Sequence, residues 1–427
     1  MRNRALAFGA IGVVGMLALA GCGRAEDAGE NGGAAEAATV DDSPATGDIE
    51  VWAMGEEGEN LGEFADAFVE ANPDATVTVT SIPWADVMTK YQTAVAAGTV
   101  PDAIMIGSSL LPAMVAATGL APVPDDLVDE DAFNETAAES TEVEGTSYAV
   151  PWYVETRVMY YRTDLAEKAG LEAPKTWDDL TAFATAMKDQ GAEYGLQLPM
   201  GDAEDSTQVI LPFYAQAGGD VLNDDGTAYE WDEAALAQAL DYYASFFTGD
   251  LAPMSGYGDA QTAAFANGSN PAFISGPWMV SVLGDQESPE WVEENVGTAP
   301  VPAGTDNNDS YLGGGHLGVF ADAENADGAW KLIRWLSEPE TQQSWFETVN
   351  ALPAVTSALD AEPFTSDPRL SVLNDQLENT VAPPSVPSWN EMSAFIETEA
   401  EKVANGSSAE ESASAIVEKA ESLGTGW

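Results

Sequence analysis

The chain has 427 residues, and its 72 acidic side chains against 14 basic ones give a formal net charge of −58. Phosphate binding needs clustered Lys and Arg, so this balance argues against nucleic acid as a partner, and the acidity favours a halophilic source over an acidic proteome without high salt. The single cysteine, Cys22, and the single histidine, His316, exclude a disulfide within the fold and thiolate or His-rich metal sites, so we expect no metal and no cofactor.

The N-terminus has the pattern of a secretory signal. Arg2 and Arg4 precede an apolar run over residues 5–20, and Leu-Ala-Gly then leads into Cys22. This arrangement resembles the lipobox of bacterial lipoproteins, in which the cysteine is diacylated and the chain is cut just before it. The alternative is a plain signal peptide with a coincidental cysteine. We predict a signal peptide over residues 1–21 and a protein that is lipid-anchored through Cys22 on the extracellular face of the cytoplasmic membrane.

Residues 22–47 are rich in Gly, Ala, Glu and Asp, which predicts a flexible tether with folding from Asp48 onward. Beyond the tether, strand and helix patterns alternate, and this favours an α/β fold with a parallel sheet covered by helices. Residues 53–58 are predicted as a loop. The predicted strands of this part are 49–52, 77–80 and 103–106, and the predicted helices are 61–72, 87–97 and 110–117.

The rest of the chain continues with extended apolar segments and amphipathic helices. Thr176 is the predicted N-cap of a helix over residues 177–190. The predicted strands are 143–150, 151–154, 158–161, 272–275 and 317–320. The other predicted helices are 233–247, 326–336, 340–348, 392–404 and 408–423. Four tryptophans are predicted as core or helix-face residues, namely Trp52, Trp177, Trp330 and Trp335.

Several segments in this order resemble the sugar-binding family of extracellular solute-binding proteins of bacterial ABC importers, which includes the maltose-binding protein. They include Ile-Ser-Gly-Pro-Trp at 274–278 and Leu-Gly-Gly-Gly-His-Leu at 312–317. The other segments are 51–55, 68–73, 94–102, 151–157, 161–165, 174–180, 329–336 and 384–389. Each segment alone is weak, whereas the whole series spans residues 49 to 404 behind a lipoprotein signal.

The resemblance implies a two-lobed periplasmic-binding-protein fold, with hinge strands that cross between lobes near residues 153–157, 311–315 and 352–359. Lobe one is then expected over 48–154 and 315–357, and lobe two over 155–314 and 358–427. It also implies a receptor that binds a sugar or oligosaccharide in the cleft between lobes and delivers it to ABC permease subunits. Closure of the lobes on ligand is a known motion of this architecture. We expect a monomer whose contact with the membrane is through the lipid anchor only.

Candidate ligand-binding residues come from two arguments. Ligands of open α/β sheets bind beyond the carboxyl ends of strands, which selects the loops at 54–57, 107–109 and 276–278. Sugars need flat aromatic faces for their C–H surfaces and carboxylates or amides for their hydroxyls. The resemblance assigns stacking to Trp278 and Trp389, with lobe packing as the alternative for Trp278. It assigns hydroxyl binding to Glu155 and matches the candidate Glu56 to an acidic position in the first loop of the family.

Further candidates each have two interpretations. Trp152 and Tyr153 face either the cleft or the hinge core. Arg157 either pairs with a buried carboxylate or contacts ligand. The remaining candidates are Ser108 and Ser109, which stand where the maltose binder has charged residues and so favour a different sugar; Gly314 and Gly315, which allow close backbone approach; and His316, which lies in the cleft or packs as a hydrogen-bonded core residue.

Other functions compete with the sugar receptor. A glycoside hydrolase needs a carboxylate pair, and pairs arise by number alone among 72 acidic residues. A receptor for a polyamine would suit the acidity, whereas a receptor for a glycerophosphodiester would need more cations. A purely structural lipoprotein is disfavoured by the hinge and Gly-rich segments. The sequence therefore favours a receptor that is not an enzyme.

Overall fold

Strands and helices alternate along the chain in a computed structural model that describes residues 39–201, 203–223, 225–255 and 259–427. The predicted signal peptide (residues 1–21) and Cys22 lie outside these residues. The strands are β1 (Thr46–Met54), β2 (Asp74–Ile82), β3 (Ala103–Gly107), β4 (Glu142–Val143), β5 (Thr146–Ser147), β6 (Val150–Thr156), β7 (Val158–Arg162), β8 (Ala272–Ser275), β9 (Val296–Ala299), β10 (Ser310–Val319), β11 (Leu352–Pro353) and β12 (Thr380–Val381). The helices are α1 (Gly55–Phe64), α2 (Asp66–Ala71), α3 (Val87–Ala97), α4 (Leu111–Ala116), α5 (Glu135–Glu139), α6 (Thr163–Ala169), α7 (Trp177–Asp189), α8 (Ala203–Gln216), α9 (Glu233–Thr248), α10 (Asp259–Ala266), α11 (Met279–Gln286), α12 (Pro289–Asn295), α13 (Ala326–Leu336), α14 (Pro339–Val349), α15 (Thr356–Leu359), α16 (Pro368–Gln376), α17 (Trp389–Ala404) and α18 (Ala409–Leu423).

The large sheet is built around β1. This strand pairs in parallel with β2, where Thr46 lies opposite Asp74, and with β3, where Val51 lies opposite Ala103. Every residue of β3 is buried, as expected for a parallel strand covered on both faces. The three strands predicted in this part of the chain are confirmed, and two of them, β1 and β2, extend several residues beyond the predicted segments.

The large sheet is mixed, which corrects the prediction of a parallel sheet. Its strand order is β11-β6-β10-β3-β1-β2, with β12 beside β10. β10 runs antiparallel to both of its main neighbours, β3 and β6. The local pattern of alternating strands and helices does not reveal this reversal, because β10 returns to the sheet only after the chain has built a second sheet elsewhere.

Three connections link the large sheet to a small antiparallel sheet of order β8-β7-β9. Arg157 alone separates β6 in the large sheet from β7 in the small one. Residues 300–309 lead from β9 in the small sheet back to β10 in the large one. β11 pairs with β6, whereas α16 contacts β7 and β9, so the chain crosses again between them. These crossings lie at or near the three predicted places.

Buried side chains form two hydrophobic clusters. The larger cluster surrounds the large sheet and reaches one face of the small sheet through Tyr160. The second contains the preceding residue, Met159, and the buried faces of α7, α8, α9, α17 and α18. Trp177 belongs to it and stacks on Tyr242 with ring centroids 4.1 Å apart. The lobe boundaries predicted from the resemblance stay a prediction, because the larger cluster spans both sheets.

The four tryptophans predicted as core or helix-face residues pack against the interior. Trp330 and Trp177 are buried. Trp52 is half-buried and meets Phe320 edge to face, and Trp335 is half-buried and packs on Phe64.

The segment predicted as a loop at 53–58 is wrong, because α1 begins at Gly55 and continues through it. Its glycines suggested a turn, but Gly58 instead allows α1 to pack closely against β1. A Cβ atom at Gly58 would lie 2.6 Å from the carbonyl oxygen of Ala53, closer than non-bonded atoms approach. The helix therefore starts directly after β1 and carries Glu56 and Glu57 in its first turn.

The helices predicted in the second half are confirmed within a few residues. Thr176 caps α7 and forms a capping box with Asp179, whose side chain accepts from the Thr176 amide at 3.1 Å. The strand predicted at 143–150 is instead a short hairpin of β4 and β5 that leads into β6. Among the described residues, no helix combines the length and apolar character that a membrane crossing requires.

The described end of the predicted tether is packed against the fold. Lys331 of α13 is buried and donates to the Asp41 carboxylate at 2.8 Å and to the Ser43 hydroxyl at 2.9 Å. It also pairs with Asp327 at 2.9 Å, and Ala45 is buried. The packed part of the chain therefore begins before Asp48, because this lysine holds residues 41–43 on α13.

Candidate ligand-binding site

A cavity of about 350 Å³ opens beside the carboxyl ends of β1 and β3, next to β6 and β10. Its volume falls in the range of small-molecule sites. Its place agrees with the rule that ligands of open α/β sheets bind beyond the carboxyl ends of strands. The lining consists of Glu57, Trp84, Gly107, Ser108, Ser109, Tyr153, Glu155, Arg157, Gln208, Trp278, Tyr311, Gly313 and Gly314.

Tyr153 and Glu57 form a buried polar pair on one wall. The hydroxyl of Tyr153 donates to the Glu57 carboxylate. Burial raises the pKa of Glu57 to about 7, and the nearby Glu155 and Glu56 carboxylates add to that rise. Burial also raises the pKa of Tyr153 well above 10, so its hydroxyl stays protonated and remains a donor.

The guanidinium of Arg157 makes hydrogen bonds and cation–π contacts with several residues of the site. It donates through Nε to Gln208 at 3.1 Å and through Nη2 to Glu155 at 3.3 Å. The same group lies 4.7 Å from the ring centre of Trp278 and 5.7 Å from that of Tyr311, in cation–π geometry. Both interpretations of Arg157 are therefore compatible with its position, since it pairs with a carboxylate and also lines the cavity.

The backbone of Arg157 is fixed to β10. Its amide donates to the Ser310 hydroxyl at 3.2 Å, and that hydroxyl donates in turn to the Arg157 carbonyl at 2.6 Å. One side chain thus closes two backbone hydrogen bonds where β6 crosses into β7. This arrangement joins the floor of the cavity directly to a crossing between the sheets.

Three consecutive glycines of β10 let β6 approach closely. A Cβ atom at Gly313 would lie 2.8 Å from Oε1 of Glu155, and one at Gly315 would lie 2.3 Å from the ring of Tyr153. Gly314 has φ of +148°, and a Cβ atom there would lie 2.4 Å from the carbonyl oxygen of Tyr153. The glycines therefore leave space for the side chains of Tyr153 and Glu155, which line the cavity.

Two further cavities adjoin the first and share Trp84 with it. One, of about 230 Å³, also shares Glu57, Tyr153, Glu155 and Trp278, and it includes Glu56. The other, of about 260 Å³, also shares Ser109 and Tyr311, and it reaches Trp389. The Trp84 ring lies over Gly55 and Gly107 and is 39% exposed. Together the cavities form a groove with this indole as a common wall.

The structure places the predicted residues unequally. Those that line the main cavity are Ser108, Ser109, Tyr153, Glu155, Arg157, Trp278 and Gly314. Glu56 lies in the smaller adjoining cavity, and Trp389, though buried, borders the other. Gly315 packs beneath Tyr153.

Trp152 and His316 lie in the core, outside the lining of these three cavities. Trp152 stacks on Trp345 with ring centres 4.8 Å apart. His316 contacts the Ser140 hydroxyl through Nε2 at 3.1 Å, and burial lowers its pKa to about 4. Of the interpretations given above, the structure therefore favours the core position for both residues.

Several lining residues were not named from the sequence. Glu57 lies in the selected loop at 54–57, although only Glu56 was named there. Trp84 follows β2, and the rule about the carboxyl ends of strands would have selected it had the rule been applied to that strand as well. Tyr311 lies in a predicted crossing. Gln208 lies within α8, and no local signal distinguishes it from other polar residues of that helix.

The lining offers groups suited to non-covalent recognition. Indole and phenol faces stand beside carboxylate, guanidinium, amide and hydroxyl groups, so both apolar and polar surfaces of a small ligand can be met. Within the described residues, no group of three or more His, Cys, Asp or Glu side chains is placed to hold a metal ion.

Comparison with known proteins gives consistent results. The pattern of the bacterial extracellular solute-binding proteins matches residues 53–343. A Brucella abortus protein named as a binding protein is 27% identical over 344 residues, 78% of this chain and 82% of that one. The diacetylchitobiose-binding protein DasA of Streptomyces coelicolor is 27% identical over 347 residues, 76% of each chain.

A solved structure agrees with the sequence matches. The sugar-binding protein MalE of Xanthomonas citri superposes with a TM-score of 0.80 at 28% identity, covering 88% of this chain and 97% of that one. The fold is thus the two-lobed α/β fold of the periplasmic sugar-binding proteins. Because the family pattern covers more than half of its length, the chain belongs to the bacterial extracellular solute-binding proteins.

Proposed function

We propose that the protein is the receptor of an ABC importer, that it binds a sugar or oligosaccharide in the cleft between its lobes, and that it delivers this ligand to the permease. In this proposal the protein acts as a monomer, is held to the outer face of the cytoplasmic membrane by lipid on Cys22, and performs no chemistry on its ligand. The names of relatives support the ligand class, since DasA is named for a disaccharide and MalE for sugar binding.

The lining of the groove is the observation that carries the proposal. A pyranose presents an apolar C–H face and a rim of hydroxyls, and the groove offers complementary surfaces for both. Trp84, Trp278 and Tyr311 supply aromatic faces. Glu155, Gln208 and the serines after β3 supply acceptors and donors for hydroxyls. The adjoining cavities give room for more than one ring.

Closure on the ligand would use the strands that cross between the sheets. β6 and β10 are joined through Arg157 and Ser310, and the guanidinium of Arg157 contacts both Glu155 and Gln208. Glu155 belongs to the large sheet, whereas Gln208 belongs to α8, whose buried face lies in the second hydrophobic cluster. A ligand that contacts both would favour the closed arrangement by its differential affinity for that state.

A binding experiment tests the proposal. The chain from Cys22 onward is mixed in high salt with mono-, di- and oligosaccharides, polyamines and glycerophosphodiesters, and its melting temperature is followed. A ligand at about 100 times its Kd stabilises the folded state by about 2.7 kcal/mol. A shift with one class of sugar supports the proposal. Shifts only with polyamines or phosphodiesters would keep the receptor and reject the sugar.

Paired variants locate the site. Trp84→Ala removes one aromatic wall and should weaken sugar binding about tenfold, equivalent to about 1.4 kcal/mol. Trp427→Ala is the matched control, because Trp427 is 48% exposed, compared with 39% for Trp84, and lines none of the three cavities. Equal affinity of the two variants would place the ligand elsewhere.

A further inference from the structure

The smaller adjoining cavity has an unbalanced charge. Its lining includes the carboxylates of Glu56, Glu57 and Glu155 and contains neither Lys nor Arg. The cavity measures about 230 Å³ and shares Glu57, Glu155 and three aromatic rings of its lining with the main one. One end of the groove is therefore acidic, whereas the other end is lined by neutral polar groups such as Ser109 and Asn390.

Within the described part of the chain, the charge of Glu57 is not balanced by an ion pair. None of the ion pairs between described residues includes it. Its hydrogen bond comes from the neutral hydroxyl of Tyr153, and the charges that act on it most are those of Glu155 and Glu56. The nearby guanidinium of Arg157 is already shared between Glu155 and Gln208.

The walls of the same cavity are suited to a cation. Trp84, Tyr153 and Trp278 line it together with the carboxylates. A cation over an aromatic face is attracted by the ring quadrupole, and aromatic cages are a known way to bind ammonium groups. The Trp278 ring already has this relation to the guanidinium of Arg157 at 4.7 Å.

We propose that the ligand carries a positive charge and that an ammonium group of an amino-bearing sugar lies beside Glu57 and Glu155, between aromatic walls. A neutral ligand would displace water from these carboxylates and give only hydroxyl hydrogen bonds in return, whereas an ammonium group also neutralises their mutual repulsion. A phosphodiester would be repelled at this end of the groove. The sugar part of this inference rests on the proposed function, whereas the charge part rests on the cavity alone.

The test compares ligands that differ in charge. Binding of the chain from Cys22 onward is measured by calorimetry at pH 7 with the glucosamine disaccharide, its diacetylated form and cellobiose, which share a β-1,4 backbone. The free amine should bind at least about tenfold more tightly than the two neutral sugars. Added NaCl should weaken only the amine, because salt screens charge–charge attraction.

Variants then locate the charge. Glu57→Gln keeps an acceptor for Tyr153 and should reduce the preference for the amine over the neutral sugars by about tenfold. Glu59→Gln is the matched control, because Glu59 is an exposed residue of the same helix that lines none of the three cavities. Melting curves confirm that both variants are folded.

The outcomes separate the two proposals. If neutral sugars bind as tightly as the amine, or if Glu57→Gln leaves the preference intact, the charged ligand is rejected and the sugar receptor stands. Spermidine provides the remaining arm. If it binds while no sugar does, the charge is supported and the sugar is rejected. If neither the amino sugar nor spermidine binds, the inference is overturned.

Discussion

Replacing Glu57 with glutamine should make the ligand-free protein more stable at neutral pH. A carboxyl group whose pKa is higher in the folded state than in the unfolded chain binds more protons when folded between the two values. The contribution of Glu57 to the unfolding free energy is therefore fully present below pH 4.5, is lost as the pH rises through about 7, and stays absent above that value. The difference between 4.5 and about 7 corresponds to about 3 kcal/mol of unfolding free energy, which is an upper bound because Glu57 is half-buried.

Glutamine does not ionise and still accepts the hydrogen bond of Tyr153, so the cost of the buried charge disappears. Urea unfolding of the parent, Glu57→Gln and Glu59→Gln at pH 5 and pH 8 measures the effect. We expect Glu57→Gln to gain stability over the parent at pH 8 and much less at pH 5, whereas the exposed Glu59 control shows neither. An equal effect at both values of pH, or a loss at pH 8, would refute the reasoning. A gain would also show that the site keeps this charge at the expense of stability, as binding sites often do.

Three more predictions concern other parts of the chain. Burial holds the pKa of His316 at about 4 rather than 6.5, so this histidine should lower the unfolding free energy as the pH falls from 6.5 toward 4, by about 3 kcal/mol in full. His316→Asn should therefore reduce the difference between the unfolding free energies at pH 7 and pH 4.5, and the same pH dependence in parent and variant would contradict this. Gly315→Ala should destabilise the fold by about 1–3 kcal/mol and weaken ligand binding, because the added Cβ would lie 2.3 Å from the Tyr153 ring. Gly62→Ala, whose added Cβ would have its nearest contact at 3.9 Å, is the control in a urea titration. Cys22→Ser should abolish lipidation and release the protein into the medium, as followed by mass spectrometry of the N-terminal peptide and by fractionation; continued membrane retention would count against the anchor.

Most elements of the fold could be predicted because their signals are local. Residues 103–106 form an apolar run typical of a buried strand, and Thr176 with Asp179 forms a capping pair that depends only on neighbours in sequence. The antiparallel place of β10 could not be predicted in the same way, because it depends on pairing with β3 and β6 far along the chain. Gly58 misled the prediction, since a glycine needed for close packing looks the same in a sequence as one needed for a turn.

The candidate site shows the same division. Tyr153, Arg157 and Trp278 were selected from motifs, and the structure brings them to one cavity. Glu57 was selected only as part of the loop at 54–57, and its neighbour Glu56 was named instead, because only the orientation of α1 decides which of two adjacent carboxylates faces inward. Gln208 depends on the packing of α8 against the crossing strands, and no sequence pattern carries that information.

The contact of Lys331 with residues 41–43 fixes the place at which the N-terminal segment joins the fold. Those residues enter the fold at the amino end of β1, whereas the groove opens beyond its carboxyl end, about 27 Å farther along the nine-residue strand. A receptor that is anchored by its N-terminus, as proposed, would therefore have its groove on the side that faces away from the membrane. Under the proposed function, delivery of the ligand to a permease would then require the body to change its orientation relative to the membrane, whereas capture would not.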